Sequence, residues 1–242
     1  MSRSAARDPL LRRRAVDEAE LMDDPECDPV ALEHTFTLFS PVNALLSGWR
    51  GIYRRRLRAV IRRAVADRGR ATLLDIGSGG GDVARALARR AARDGLPLDV
   101  LAMDPDPRAH AHALAAGRGA PGVTYRCAHS AELVRDGESF DIVISNHLLH
   151  HLDDAGLRRL LADTEALCTA LAVHNDLRRS RPAWLAWWVL TLPLVRSRSF
   201  LRYDGLLSIR RSRTVPELAA EAAAGWTAHD QVPFRVLLAR RA

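Results

Sequence analysis

LDIGSGGGD, from Leu74 to Asp82, is the stretch on which the fold turns. It ends a short apolar run on Asp75, then places glycine at 77, 79 and 81 before Asp82 opens an Ala- and Arg-rich segment of helical composition. Glycine lets a chain leave a strand sharply and lets backbone approach a ligand where a Cβ would intrude. A dinucleotide-binding turn of the form GxGxxG would carry its last glycine at position 82, where this chain has Asp82. A carboxylate there disfavours a pyrophosphate and suits a ligand whose near end is cationic. The loop alone also fits a tight strand-to-helix turn with no ligand.

Beyond this loop, short apolar runs alternate with Ala- and Arg-rich helical segments, the pattern of an α/β domain with a mostly parallel sheet. Seven strands are predicted, at 71–76, 98–104, 123–127, 140–145, 170–174, 225–228 and 234–239. Helices are predicted at 82–93, 107–116, 153–168 and 216–224. Residues 1–66 read as a flexible N-terminus, with a loose basic start of about fifteen residues, an acidic turn-like stretch to Pro29 and then a helical cap. Residues 67–242 read as the main domain, with an insertion at about 178–214.

The chain has 242 residues, 48% of them hydrophobic, enough for one substantial core. Its formal net charge of +7 would suggest nucleic acid or an anionic surface as partner, but all 36 basic residues are Arg, a bias that codon supply also produces. No nucleic-acid partner is expected. Cys27, Cys127 and Cys168 are far apart and form no CxxC pair, which fits a reducing cytoplasm and gives no thiolate metal site. The first residues show no secretion signal, and the longest apolar stretch, 183–195, is shorter than the ~20 residues a bilayer span needs.

Asp104 ends the second strand in LAMDPD, where an acidic residue is placed to bind both hydroxyls of a ribose; capping the next helix is the other reading, for which Asp106 is better placed. The third motif is FDIVISNHLLHHL, from Phe140 to Leu152. With LDIGSGGGD and MDPD, it resembles the class I S-adenosylmethionine-dependent methyltransferases over roughly residues 71–242. The resemblance implies a Rossmann-like sheet and S-adenosyl-L-methionine as cofactor. It places Asp75, Gly77, Ser78 and Gly79 along the methionine end, Asp104 and Pro105 at the ribose, Ala128, His129 and Ser130 at the adenine edge, and Asn146 with His147 as the floor near the sulfonium. His129 stands where many members have an acidic residue. ELMDDPECDP, FSPVNALLSGWRGIYRRRL, VHNDLRRS and FLRYDGLLSIRRSRTVPEL further resemble a bacterial group associated with type III polyketide synthases, implying O-methylation of a phenolic or quinonoid lipid, or C-methylation of a quinone-type ring.

Deprotonating a phenol calls for a general base, most often histidine. His150, His151 and His174 are therefore the catalytic candidates, with His147 beside them. Packing without catalytic duty is the competing reading for His150 and His151. HLLHH lacks the Glu of HExxH, and no metal is expected. Asp176, Arg178 and Arg179 are candidates to hold an acceptor's polar group, or else a solvated loop. The Trp184–Trp188 run WLAWW reads as a lid over a hydrophobic aromatic substrate, a peripheral membrane contact, or a packing or homodimer face. A nucleic-acid amine methyltransferase would carry an (Asn/Asp)-Pro-Pro-aromatic run where this chain has SNHL, and a non-catalytic binding protein on the same fold is the remaining class.

Overall fold

The computed structural model describes residues 11–242. The expected loose start lies outside the described residues for 1–10. Over 11–15 the chain is tied down, with Arg14 Nε donating to the Arg211 carbonyl at 2.8 Å and the Ala15 N–H to the Arg210 carbonyl at 3.2 Å.

Seven strands form one sheet: β1 (Ala71–Ile76), β2 (Leu98–Met103), β3 (Val123–Arg126), β4 (Phe140–Asn146), β5 (Cys168–Leu177), β6 (Thr227–Gln231) and β7 (Arg235–Arg241). Their order is β3-β2-β1-β4-β5-β7-β6, and β7 alone runs antiparallel to its neighbours. This is the mostly parallel, seven-stranded α/β architecture that the sequence predicts. Chain order reverses between β1 and β4, which opens a crevice at the carboxyl ends of the strands.

Ten helices accompany the sheet among the described residues: α1 (Pro29–Leu46), α2 (Trp49–Ile52), α3 (Arg58–Arg68), α4 (Asp82–Arg93), α5 (Pro107–Ala116), α6 (Ser130–Arg135), α7 (Asp154–Leu167), α8 (Arg181–Leu190), α9 (Leu201–Arg211) and α10 (Val215–Glu221). A π-helical turn, Tyr53–Leu57, joins α2 to α3. Because both faces of the sheet are covered, β1 is buried nearly throughout instead of alternating. Leu73 faces a layer containing Leu57 and Ile61 on one side and Leu87 of α4 on the other, whereas Leu74 faces Leu133 of α6 and Leu157 and Leu161 of α7. Residues 49–64, placed by the sequence in an N-terminal cap, thus share the core of the sheet. Truncating a side chain such as Leu57 or Leu161, both essentially inaccessible, would cost about 2–5 kcal/mol.

Strand β5 is longer than predicted and puts Asp176 on the sheet instead of in a loop. α6 was not predicted, its six residues being too short for a periodic signal. Residues 178–214 hold α8, a short 3-10 turn at Leu192–Leu194, and α9. No helix among the described residues is long and apolar enough to cross a membrane.

Candidate active site

A cavity of about 430 Å³ lies at the carboxyl ends of β1, β2, β4 and β5. Its first wall is the glycine loop. Gly77, Gly79 and Gly81 have φ of 65°, 52° and 71°, the left-handed region that side chains rarely adopt. At Gly77 a Cβ would also come within 3.1 Å of Leu148. The Ser78 N–H donates to the Met103 carbonyl at 2.9 Å, and the Gly79 N–H to Asp104 Oδ2 at 2.8 Å, so the loop is fixed to the end of β2.

Three carboxyl groups, Asp75, Asp82 and Asp104, line this end of the cavity. Asp75 is fully buried and neither of its oxygens meets a hydrogen-bond donor among the described residues. Burial pushes its pKa well above the ordinary carboxylate range, and the charges of Asp82 and Asp104 push the same way. Burial also raises Asp82 and Asp104, the latter despite the N–H groups of Asp106 and Gly79 that it accepts. An orphaned buried acid beside two more, above a loop that keeps side chains out of the way, is a cradle for a cationic ligand. An α-ammonium and a sulfonium fit it; a pyrophosphate does not.

The opposite wall holds the histidines of β4 and the turn after it. His150 is buried between two carboxylates: Nδ1 lies 2.8 Å from Asp176 Oδ1, and Nε2 3.4 Å from Glu20 Oε1. Since both partners accept, both ring nitrogens carry hydrogen and His150 is an imidazolium. Burial opposes that charge, but Asp176 and Glu20 outweigh it and raise the pKa to about 9. Asp176 is correspondingly held well below its usual range: burial would raise it, and the charge and hydrogen bond of His150 prevail. Glu20, also buried, is lowered by His150 against its own burial and accepts Ser208 Oγ at 2.9 Å.

His151 packs against His150 with ring centroids 4.2 Å apart and is partly open to the cavity. Its Nδ1 lies 3.2 Å from Asp23 Oδ2, which fixes the proton there, while Nε2 is 3.9 Å from Glu20 Oε2, too far for a hydrogen bond. Glu20, His150 and His151 are the only set of three potential metal ligands among the described residues whose donor atoms approach within 4.8 Å. With hydrogen on both ring nitrogens, His150 donates to each of the two carboxylates that face it.

His147 adopts φ 59°, uncommon for a residue with a side chain, and its Nε2 accepts from Arg235 Nη1. Burial and the Arg235 charge hold it well below the ordinary histidine pKa, so it is neutral. Asn146 is locked by three donors to its Oδ1: Trp49 Nε1 at 3.0 Å, Asn175 Nδ2 at 3.2 Å and Arg235 Nη2 at 2.8 Å.

Of the residues that the sequence singles out, Asp75, Gly77, Ser78, Gly79, Asp104, Pro105, Asn146, His147, His150 and His151 all line this one cavity. Ala128, His129 and Ser130 do not. The His129 N–H is taken by Glu132 Oε1 at 2.7 Å, Ser130 Oγ donates to Asp163 at 2.6 Å, and Ala128 is buried in the core. His174 is elsewhere too. Its ring bonds Ser145 Oγ at 2.8 Å and Thr164 Oγ1 at 3.3 Å and stacks on Trp226, on the face of β5 opposite to Asn175. Burial depresses its pKa to about 3. Asp176 is engaged by His150, while Arg178 pairs with Asp230 and Arg179 with Glu217, so neither arginine lines the cavity. Asp106 caps α5, accepting the Arg108 N–H at 2.8 Å. Glu20 and Asp23 of the acidic N-terminal stretch and Phe36 and Asn43 of α1 also line the cavity; the sequence assigns them no site role, although Glu20, Asp23 and Asn43 stand in the ELMDDPECDP and FSPVNALL segments that carry the narrower resemblance.

The family described as "Methyltransferase domain" matches residues 73–169. Over 89 residues the chain is 38% identical to the Ubiquinone biosynthesis O-methyltransferase of Azorhizobium caulinodans; the alignment takes in 35% of this chain and spans only 32% of the length of that relative. The structure of the plantazolicin methyltransferase BpumL in complex with SAH superimposes with a TM-score of 0.54 at 12% identity, covering 88% of this chain and 95% of that one. A structure described as a possible exported protein from Bordetella parapertussis does so with a TM-score of 0.50 at 21% identity, covering 77% and 67%. These two likenesses concern the fold. Residues 73–169, less than half of the chain, are thus matched as a methyltransferase domain.

Proposed function

We propose that the chain methylates a hydroxyl of a small, hydrophobic aromatic acceptor, a phenolic or quinonoid polyketide or lipid, at the expense of S-adenosylmethionine. The observation that carries this reading is the continuity of one cavity. It joins the glycine loop and its three acids to the Glu20, His150 and His151 cluster, between apolar walls that include Phe36, Phe39, Trp187, Leu201 and Ile209. The name of the Azorhizobium relative points to the same acceptor class.

When bound, the cofactor supplies a methyl group on a cationic sulfur that becomes neutral as the group leaves. Asp75, Asp82 and Asp104 are the residues to hold it, with Gly77, Ser78 and Gly79 providing backbone contact. On the acceptor side, His151 Nε2 takes the hydroxyl proton. Asp23 keeps Nδ1 protonated, so the lone pair is on Nε2, and Glu20 and Asp23 stabilise the imidazolium that forms. His150 is already charged and serves as a fixed cation that orders Glu20 and Asp176. Apolar walls exclude water, which strengthens each of these interactions.

A mass-spectrometric screen with S-adenosylmethionine tests this reading, using alkylated phenols and resorcinols, quinols and RNA as acceptors. A gain of one methyl on a phenolic oxygen is expected. Methylation of a ring carbon or of RNA alone would overturn it.

A further inference from the structure

Helix α8 and the turn after it have two unlike faces. Inward, Trp187 lines the cavity and lies over Gly205, where a Cβ would come within 2.3 Å of its Nε1. Outward, Leu185, Trp188, Val189, Leu190, Leu192, Val195 and Tyr203 are exposed. These are seven of the fourteen exposed large hydrophobic residues among the described ones, gathered into nineteen positions. Scattered apolar residues on a surface need no explanation, but seven on one short helix and the segment after it do.

The charge around the patch selects its partner. From 178 to 203 the chain has six arginines and no acidic residue. Arg178 is paired with the exposed Asp230 and the buried Arg179 with Glu217, whereas Arg196 is exposed and the Arg198 side chain, 3.5 Å from Asp28, remains 77% exposed. Arg202 lies 5.7 Å from the Trp188 ring and donates to the Trp188 carbonyl, fixing a tryptophan and a cation side by side at the edge of the patch. A second copy of this chain docking by the same face would bring two rims carrying Arg196, Arg198 and Arg202 together, which like-charge repulsion opposes. An anionic lipid surface accepts both the apolar face and the rim. The ten residues of α8 are too few to cross a bilayer, so the helix lies in the plane of the interface.

We propose that α8 and the 191–203 segment dock the protein on anionic membrane surfaces, with the cavity mouth beside the bilayer. An amphiphilic acceptor then passes from lipid to the cavity along the helix whose other face carries Trp187. This last step rests on the proposed function; the docking does not.

Co-sedimentation of the full chain with phosphatidylcholine vesicles, with and without phosphatidylglycerol, tests the docking. Binding is expected to the anionic vesicles only and to fall at least tenfold between low and high salt. Leu190→Glu with Val195→Glu should reduce it at least tenfold, and Arg196→Glu with Arg198→Glu should remove its salt dependence. None of these residues lines the cavity, so methylation of a soluble acceptor should be unchanged. Circular dichroism guards against misfolding, and Leu190→Met is the conservative control, expected to bind normally. No binding to anionic vesicles at low salt would overturn the proposal. So would a concentration-dependent dimer that Leu190→Glu dissolves while vesicle binding persists. Vesicle binding without methylation of any phenol would count against the proposed function alone.

Discussion

Asp176 holds His150 twice, Oδ1 facing the ring Nδ1 at 2.8 Å and Oδ2 accepting the backbone N–H at 2.7 Å. One carboxylate therefore fixes both the charge and the position of the residue that orders the acceptor wall. Asp176→Asn keeps the shape and removes the charge. Breaking a buried pair on one side typically costs about 3–5 kcal/mol. Urea unfolding should show a loss of that order, and turnover should fall by at least tenfold even where the variant is fully folded.

The same pair makes stability depend on pH. His150 is raised in the folded state from an ordinary value of 6.5 to about 9. Its contribution is complete below pH 6.5, where the unfolded chain is also protonated, and is lost as pH rises through 9. Wild-type stability measured against that of His150→Gln should thus converge between pH 6.5 and 9. A difference that grows across this window would contradict the imidazolium.

His150 and His151 are neighbours in sequence but should differ in duty. His151→Gln is expected to lower kcat about 10²–10⁴-fold, the usual contribution of a general base, while leaving S-adenosylmethionine affinity in place. His150→Gln should lower activity together with stability, because it leaves Asp176 and Glu20 without their shared partner. If His151→Gln retains the wild-type kcat, the base is another group.

His174 should behave as a core residue. Its pKa is depressed to about 3, so it is neutral in the fold while the unfolded chain takes up a proton below pH 6.5. The stability it permits is complete above pH 6.5 and declines by about 1.4 kcal/mol per pH unit as pH falls towards 3. His174→Gln should flatten this acid slope and leave kcat/KM within about threefold of wild type at neutral pH.

What could be read in the sequence divides along sequence distance. Asp75, the glycines and Asp104 were legible because a strand-to-helix turn and a strand end are local features with their own residue signature. Glu20 and Asp23 were not, because they reach His150 and His151 across 128 residues or more and nothing in an acidic, turn-like stretch tells where it will dock. His174 was misplaced for a different reason. Both faces of β5 are buried, so its composition does not reveal which alternate residues face the cavity and which the core. Ala128, His129 and Ser130 lie outside the cavity lining: the His129 N–H is taken up in the capping box of α6, a helix too short to give a periodic signal, and the Ser130 hydroxyl donates to Asp163 of α7.

Asp75 should release a proton when S-adenosylmethionine binds. In the free protein, burial and the neighbouring Asp82 and Asp104 raise its pKa well above the ordinary range, and no hydrogen bond offsets them. A cationic ligand in the cradle favours the ionised form, because an opposite charge nearby lowers a carboxyl pKa. Binding is then coupled to deprotonation, and affinity should rise with pH until Asp75 is ionised in the free state as well. Calorimetry in buffers of different ionisation enthalpy reads the proton directly as a dependence of the observed heat on the buffer. Asp75→Asn cannot release it. That variant should bind S-adenosylmethionine at least tenfold more weakly with heats that no longer vary between buffers, and should unfold at no lower temperature than wild type when the cofactor is absent, since the orphaned acid is a cost in the empty cradle. Equal buffer dependence in wild type and variant would place the released proton elsewhere.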